Sequence, residues 1–160
     1  MPTRQASQLN HDEIYLGAAI EQAKKSLREG GIPIGAALVV DEIIVGLGHN
    51  RRVQSDDPIL HGETDCIRNA GRLTPQQYRR STIYTTLSPC AMCSGTILLY
   101  KIPRVVIGEN SNFQGSEQLL LDHGVEIVNA KNQEITSILR SFISDHPEIW
   151  FEDIGKLDQD

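Results

Sequence analysis

Residues 81–108, STIYTTLSPCAMCSGTILLYKIPRVVIG, place a β-branched strand pattern at 81–87, a helical run from about Cys90 to Tyr100, and a second strand at RVVIG, 104–108. A strand, a helix and a second strand in succession imply parallel pairing with a right-handed crossover. That unit restricts the chain to folds built on a sheet covered by helices. The flanking segments fit around it. Residues 12–29, DEIYLGAAIEQAKKSLRE, repeat apolar side chains at helical spacing through Leu16, Ala19, Ile20, Ala23 and Leu27, and Gly30-Gly31 supplies the stop. IGAALVV (34–40), a turn near Asp41-Glu42 and IIVGLGH (43–49) read as an antiparallel hairpin. A helix is expected from His61 to about Ala70, ending near Gly71. Beyond the polar loop GENSNFQGS come a short helical piece, the strand VEIV (125–128), a helix near 132–144 and the tail HPEIWFEDIG. The expected fold is α/β: a three-layer α/β/α sandwich around a mixed five-stranded sheet.

No internal repeat, low-complexity tract or linker interrupts the sequence, so residues 1–160 are expected to form a single domain. Hydrophobic residues at 39% and charged residues at 22% suit an ordinary globular protein. The opening MPTRQASQLNHDE has no apolar run of the signal-peptide kind. No stretch approaches the roughly 20 apolar residues of a membrane span. A cytoplasmic location without membrane attachment is therefore expected. The formal net charge is −6, and basic residues are scattered, as at Arg51-Arg52 and Arg79-Arg80. Phosphate-backbone binding needs clustered Lys and Arg, so nucleic acid is not the expected partner.

The segment SPCAMCSG, 88–95, holds two of the three cysteines. A Cys-x-x-Cys pair between a strand and a helix fits a redox couple as well as a metal site, and spacing alone does not separate them. Cys66 by itself reads as a small core hydrophobe. The wider context favours metal. His61-Gly62-Glu63 upstream and Pro89-Cys90-x-x-Cys93 downstream together resemble the signature of the zinc-dependent nucleobase deaminases. One imidazole and two thiolates would leave a fourth tetrahedral position for water, as a catalytic zinc requires. Helix N-termini favour the thiolate form of Cys90 and Cys93. Zinc lowers the pKa of bound water from 15.7 to about 7, which gives hydroxide at neutral pH.

The resemblance extends well past this motif. REGGIPIGAAL, GLGHNRR, LHGETD, NAGRL, IYTTLSPCAMCSGTILLYKIPRVVIGEN, SNF and the tail WFEDIG make the chain similar to fungal-type cytosine deaminases over essentially its whole length. That resemblance implies a cytidine deaminase-like fold, a Zn²⁺ ion held by His61, Cys90 and Cys93, and Glu63 as proton shuttle. It implies that Asn50 contacts the base together with the backbone of Gly62 and Cys90, and that Asp153 holds another polar edge. Phe113 and Trp150 would form an aromatic lid, with Ile34 and Leu87 lining the pocket. The implied reaction is hydrolysis of cytosine to uracil and ammonia, by zinc-bound hydroxide attack at C4, in a homodimer acting on a free nucleobase. Taken singly, Trp150 fits a core aromatic, Asp153 a surface charge or helix cap, and Asn50 a turn residue. The shared match assigns all three to the site.

Val53, Ile59 and Thr64 depart from the family pattern close to the motif and are expected to bear on which ring the pocket prefers. Isocytosine, creatinine and guanine are the alternative substrates. A tRNA adenosine deaminase would share the zinc motif, but the charge of −6 speaks against it. A purely structural zinc would need a fourth protein ligand. Cys66 is the awkwardly placed candidate.

Overall fold

Residues 3–157 are described by a computed structural model; the first two and last three residues of the expected 1–160 domain lie outside it. A long helix α1 (Arg4–Arg28) leads into the hairpin β1 (Gly35–Val40) and β2 (Ile43–His49). Short α2 (Arg52–Ser55), then α3 (Gly62–Ala70) and α4 (Pro75–Arg79), precede β3 (Ser81–Leu87). α5 (Ala91–Tyr100), β4 (Arg104–Glu109), α6 (Glu117–Asp122), β5 (Glu126–Asn129), α7 (Gln133–Asp145) and α8 (Pro147–Asp153) complete the order. The five strands form one sheet in the order β2-β1-β3-β4-β5. β1 pairs antiparallel with β2 and β3, whereas β3–β4 and β4–β5 are parallel, as the strand–helix–strand pattern requires.

Alternating strand residues divide the core into two layers. Ala36, Leu38, Ile83, Val105 and Ile107 face one side, where Cys66, Ile97 and Leu120 bring α3, α5 and α6 against the sheet. Ala37, Val39, Tyr84 and Val106 face the other, under Leu16, Ala19, Ile20 and Ala23 of α1 and Ile135 of α7. The parallel strands β3 and β4 are buried on both faces; β4 reads as the apolar run VVIG, while β3 is marked by β-branched residues rather than by alternation.

α1 begins at Arg4, a full two turns before its apolar period starts. Thr3 caps it by accepting from the Ala6 amide at 3.3 Å, and residues 3–8 are exposed, so no hydrophobic repeat marks them. α2, α4 and α8 are too short to display a period. The hairpin turn places Asp41 and Glu42 at φ 50° and 67°, the left-handed pair of a two-residue turn that normally selects glycine. Replacing Glu42 by Gly is expected to stabilise the protein by about 1 kcal/mol, since left-handed backbone is costly for other residues. The exposed His11–Glu42 contact at 3.5 Å is a small loss against that. A denaturant midpoint below the parent's would contradict the assignment.

Candidate active site

The ends of two helices define the site. His61 and Cys90 occupy the N-cap positions of α3 and α5, both in extended backbone conformation, and Cys93 lies in the first turn of α5. Cys90 makes no side-chain cap bond, which leaves its sulfur for other use. The His61 amide instead donates to Thr64 Oγ1 at 3.0 Å, so the turn holding the imidazole is capped from within α3. The result is a cluster in which the ligand atoms of His61, Cys90 and Cys93 all lie within 4.8 Å of one another. His61 Nδ1 is 3.5 Å from Cys90 Sγ and 3.7 Å from Cys93 Sγ. Tetrahedral zinc with its usual bond lengths would separate an imidazole nitrogen from a thiolate by about 3.6 Å. The donor set and its spacing fit zinc.

Among the described residues this cluster has no fourth protein member. Cys66 points into the core, where its thiol donates to the Gly46 carbonyl at 3.4 Å and burial raises its pKa. The structural-zinc alternative thereby loses its candidate ligand.

The other ring nitrogen of His61, Nε2, lies 3.2 Å from Asp153 Oδ1. The carboxylate sits beside the imidazole as a charge partner, although Oδ1 is not aligned to accept a hydrogen bond from it. Burial disfavours charge on His61, but Asp153 and Cys90 beside it hold its pKa up to about 10. Cys90 is drawn down to about 4 by the hydrogen bond from Cys93, against burial and with help from His61. A thiolate is the form in which cysteine binds metal.

Glu63 is 3% exposed. Burial pushes its carboxyl above the ordinary range, opposed by hydrogen bonds from Cys93 and Thr85. The Thr85 hydroxyl on β3 sits 2.7 Å from Glu63 Oε1 and 3.1 Å from the Leu87 carbonyl. Thr85 escaped the sequence reading, although it left a signal. It stands between Ile83 and Leu87 on one face of a buried strand, where a polar side chain needs a partner.

Ile34, His61, Glu63, Leu87 and Cys90 form the floor and sides of a cavity whose water-accessible volume is about 20 Å³. Phe113, Trp150 and Asp153 close it, joined by Ser88 and Ile154, which the sequence reading missed. Trp150 and Ile154 are four apart on the tail, so they share a helix face. Trp150 is buried and meets Phe113 edge-on, ring centroids 6.0 Å apart. Asn50 is fully buried behind Asp153, to which its Nδ2 donates at 3.0 Å. Gly62 sits outside the lining, packed so that an added Cβ would come 3.3 Å from Ile34 Cγ2.

Val53 and Ile59 are exposed and do not line the cavity, and Thr64 is engaged in capping. The expectation that these three departures bear on ring preference is therefore corrected. Thr64 follows Glu63 directly, but successive helical residues point about 100° apart.

Residues 9–109 match the cytidine and deoxycytidylate deaminase zinc-binding region. The chain belongs to this family. The matched span contains His61, Glu63, Cys90 and Cys93 but stops short of Phe113 and the tail. Relatives extend further: a cytosine deaminase of Candida albicans is 52% identical over 146 residues, 91% of this deaminase chain and 97% of that one. A tRNA-specific adenosine deaminase of Streptococcus pyogenes is 35% identical over 128 residues, covering 74% of this chain and 80% of that protein. A solved chain from work on tRNA:A34 deaminases aligns with a TM-score of 0.62 at 22% identity, over 74% of this chain and 98% of that one; this likeness concerns the fold.

Proposed function

We propose that the chain is a zinc-dependent cytosine deaminase, one domain over residues 1–160, converting cytosine and water to uracil and ammonia. The observation that carries the choice of substrate is the 52% identity across 97% of the Candida albicans cytosine deaminase. Zinc bound by His61, Cys90 and Cys93 would supply Lewis acidity and hydroxide at neutral pH.

The remaining steps fall to the chain's own side chains. Glu63, buried and with its proton affinity raised by that burial, takes one proton from water and gives it to ring N3. It then takes the second from the hydroxyl added at C4 and gives it to the departing amino group, which leaves as ammonia. Thr85 keeps that carboxyl in place. Asp153 Oδ1 has no aligned hydrogen-bond donor although it is buried. An amino group of the substrate would satisfy it, which supports a substrate role for Asp153 alongside its contact with His61. Asn50 steadies the other carboxylate oxygen from behind and so acts on the base through Asp153. Phe113 and Trp150 cover the ring, and Ile34 and Leu87 line its sides. The cavity of about 20 Å³ has room for little more than one water, so seating a base requires its aromatic wall to move.

We read the enzyme as a cytoplasmic homodimer acting on a free base. Exposed apolar side chains such as Val53, Ile59 and Leu99 are available for contact with a second copy. The charge of −6 is unsuited to a nucleic-acid partner, and no helix among the described residues is long and apolar enough to cross a membrane.

The test is ammonia release by the zinc-loaded protein with cytosine, isocytosine, creatinine, guanine and cytidine in parallel. Preference for cytosine is expected, and preference for another ring overturns the substrate assignment. Asp153→Asn should lower kcat/KM for cytosine roughly 10- to 100-fold, the worth of a charged hydrogen bond. Its circular dichroism should stay that of the parent. Unchanged kinetics would take the tail out of the site.

A further inference from the structure

Phe113 stands on a loop fastened by a buried carboxylate that takes no part in the chemistry. Glu109, the last residue of β4, is 2% exposed. Its Oε2 accepts from the Ser111 amide at 2.7 Å, the Ser111 hydroxyl at 3.0 Å and the Asn112 amide at 3.0 Å. Its Oε1 accepts from Asn112 Nδ2 at 2.9 Å, and Asn112 Nδ2 also donates to the Thr136 carbonyl of α7 at 3.0 Å. The far side of the loop is tied to the metal-ligand segment. The Gly115 amide donates to Ser88 Oγ at 2.9 Å and the Ser116 amide to the Pro89 carbonyl at 3.0 Å, just before Cys90. The approach there is so close that a Cβ on Gly115 would fall 1.9 Å from the Pro89 oxygen.

Burying a carboxylate is costly unless its oxygens are satisfied, and connecting loops seldom carry one. Here four donors satisfy it, and all four belong to the two residues immediately before Phe113. The charge is spent on holding one short stretch of backbone. We propose that Glu109 is the positioning residue that fixes Phe113 as a rigid wall of the substrate cavity. This rests on the deaminase reading of the cavity. It also assigns the opening motion to the tail helix that carries Trp150, because the Phe113 loop is braced on both flanks.

Glu109→Gln keeps the shape but replaces one acceptor oxygen with an NH₂ group, which faces donors from Ser111 or Asn112. In the zinc-loaded full chain it should raise KM for cytosine roughly tenfold with kcat within about threefold, the pattern of lost uniform binding. Phe113→Ala should do the same. The double variant should be no worse than Phe113→Ala by more than about twofold, because Glu109 acts only through that ring. Additive losses, or an unchanged KM in Glu109→Gln, overturn the proposal. Trp150, the only tryptophan, gives a readout independent of turnover. Its emission in Glu109→Gln should match that in Phe113→Ala, and parental emission overturns the assignment. If the parent does not turn over cytosine the functional reading falls, and Trp150 emission still decides the role of Glu109. Should Glu109→Gln fail to fold, Asn112→Ala removes the Oε1 bond and is judged by the same criteria.

Discussion

Glu63→Gln is expected to lower kcat for cytosine by about 10²- to 10⁴-fold while zinc stays bound at one ion per chain, the range lost with a general acid–base group. Glutamine preserves the volume and still accepts from the Thr85 hydroxyl, which now lies 2.7 Å from Oε1. It cannot carry a proton from water to the ring. The side chain is buried against β3 and not a member of the metal cluster, so metal content and activity should separate cleanly. Metal analysis on the purified variant and uracil formation at saturating cytosine check both halves. Activity within tenfold of the parent would remove Glu63 from the chemistry, and loss of zinc would place it in the metal site.

Cys93→Ala should abolish both zinc retention and turnover. The cluster has three protein donors, and Cys93 supplies one of its two sulfurs. Two remaining donors cannot hold zinc through gel filtration. Stability should fall as well, because metal bound only by the folded state contributes about 4 kcal/mol when present at a thousand times its dissociation constant. The melting temperature of Cys93→Ala should then stop responding to added zinc. Cys66→Ala is the internal comparison. Cys66 is equally buried but bonded to the Gly46 carbonyl, so its removal should lower the melting temperature modestly and leave the metal content intact. Equal zinc loss in both variants would contradict the assignment of ligands.

The framework of the fold was legible because its strands and helices carry strong periods. β3 was read at its observed limits, and the hairpin turn fell where Asp41 and Glu42 now stand. What escaped has physical causes. The first two turns of α1 are exposed and polar, and they are held by a Thr3 cap rather than by an apolar face. α8 has only seven residues; Pro147 starts it, and packing of Trp150 beside Leu139 and Phe142 keeps it. At the site, the ligand set was readable from the resemblance of the two motif halves to the zinc deaminase signature. The grip of Thr85 on Glu63 and of Glu109 on the Phe113 loop was not, since both depend on segments that meet only in the folded sheet. Val53, Ile59 and Thr64 show the converse error, in which nearness in sequence was taken for nearness to the cavity.

The most direct test of the central claim is a zinc titration of metal-stripped protein, with ammonia release from cytosine followed at each addition. Activity should rise linearly and break at one zinc per chain, with uracil formed in equal amount to ammonia. Full cytosine turnover by the stripped protein, or a saturated zinc site with no uracil formed, would contradict the account.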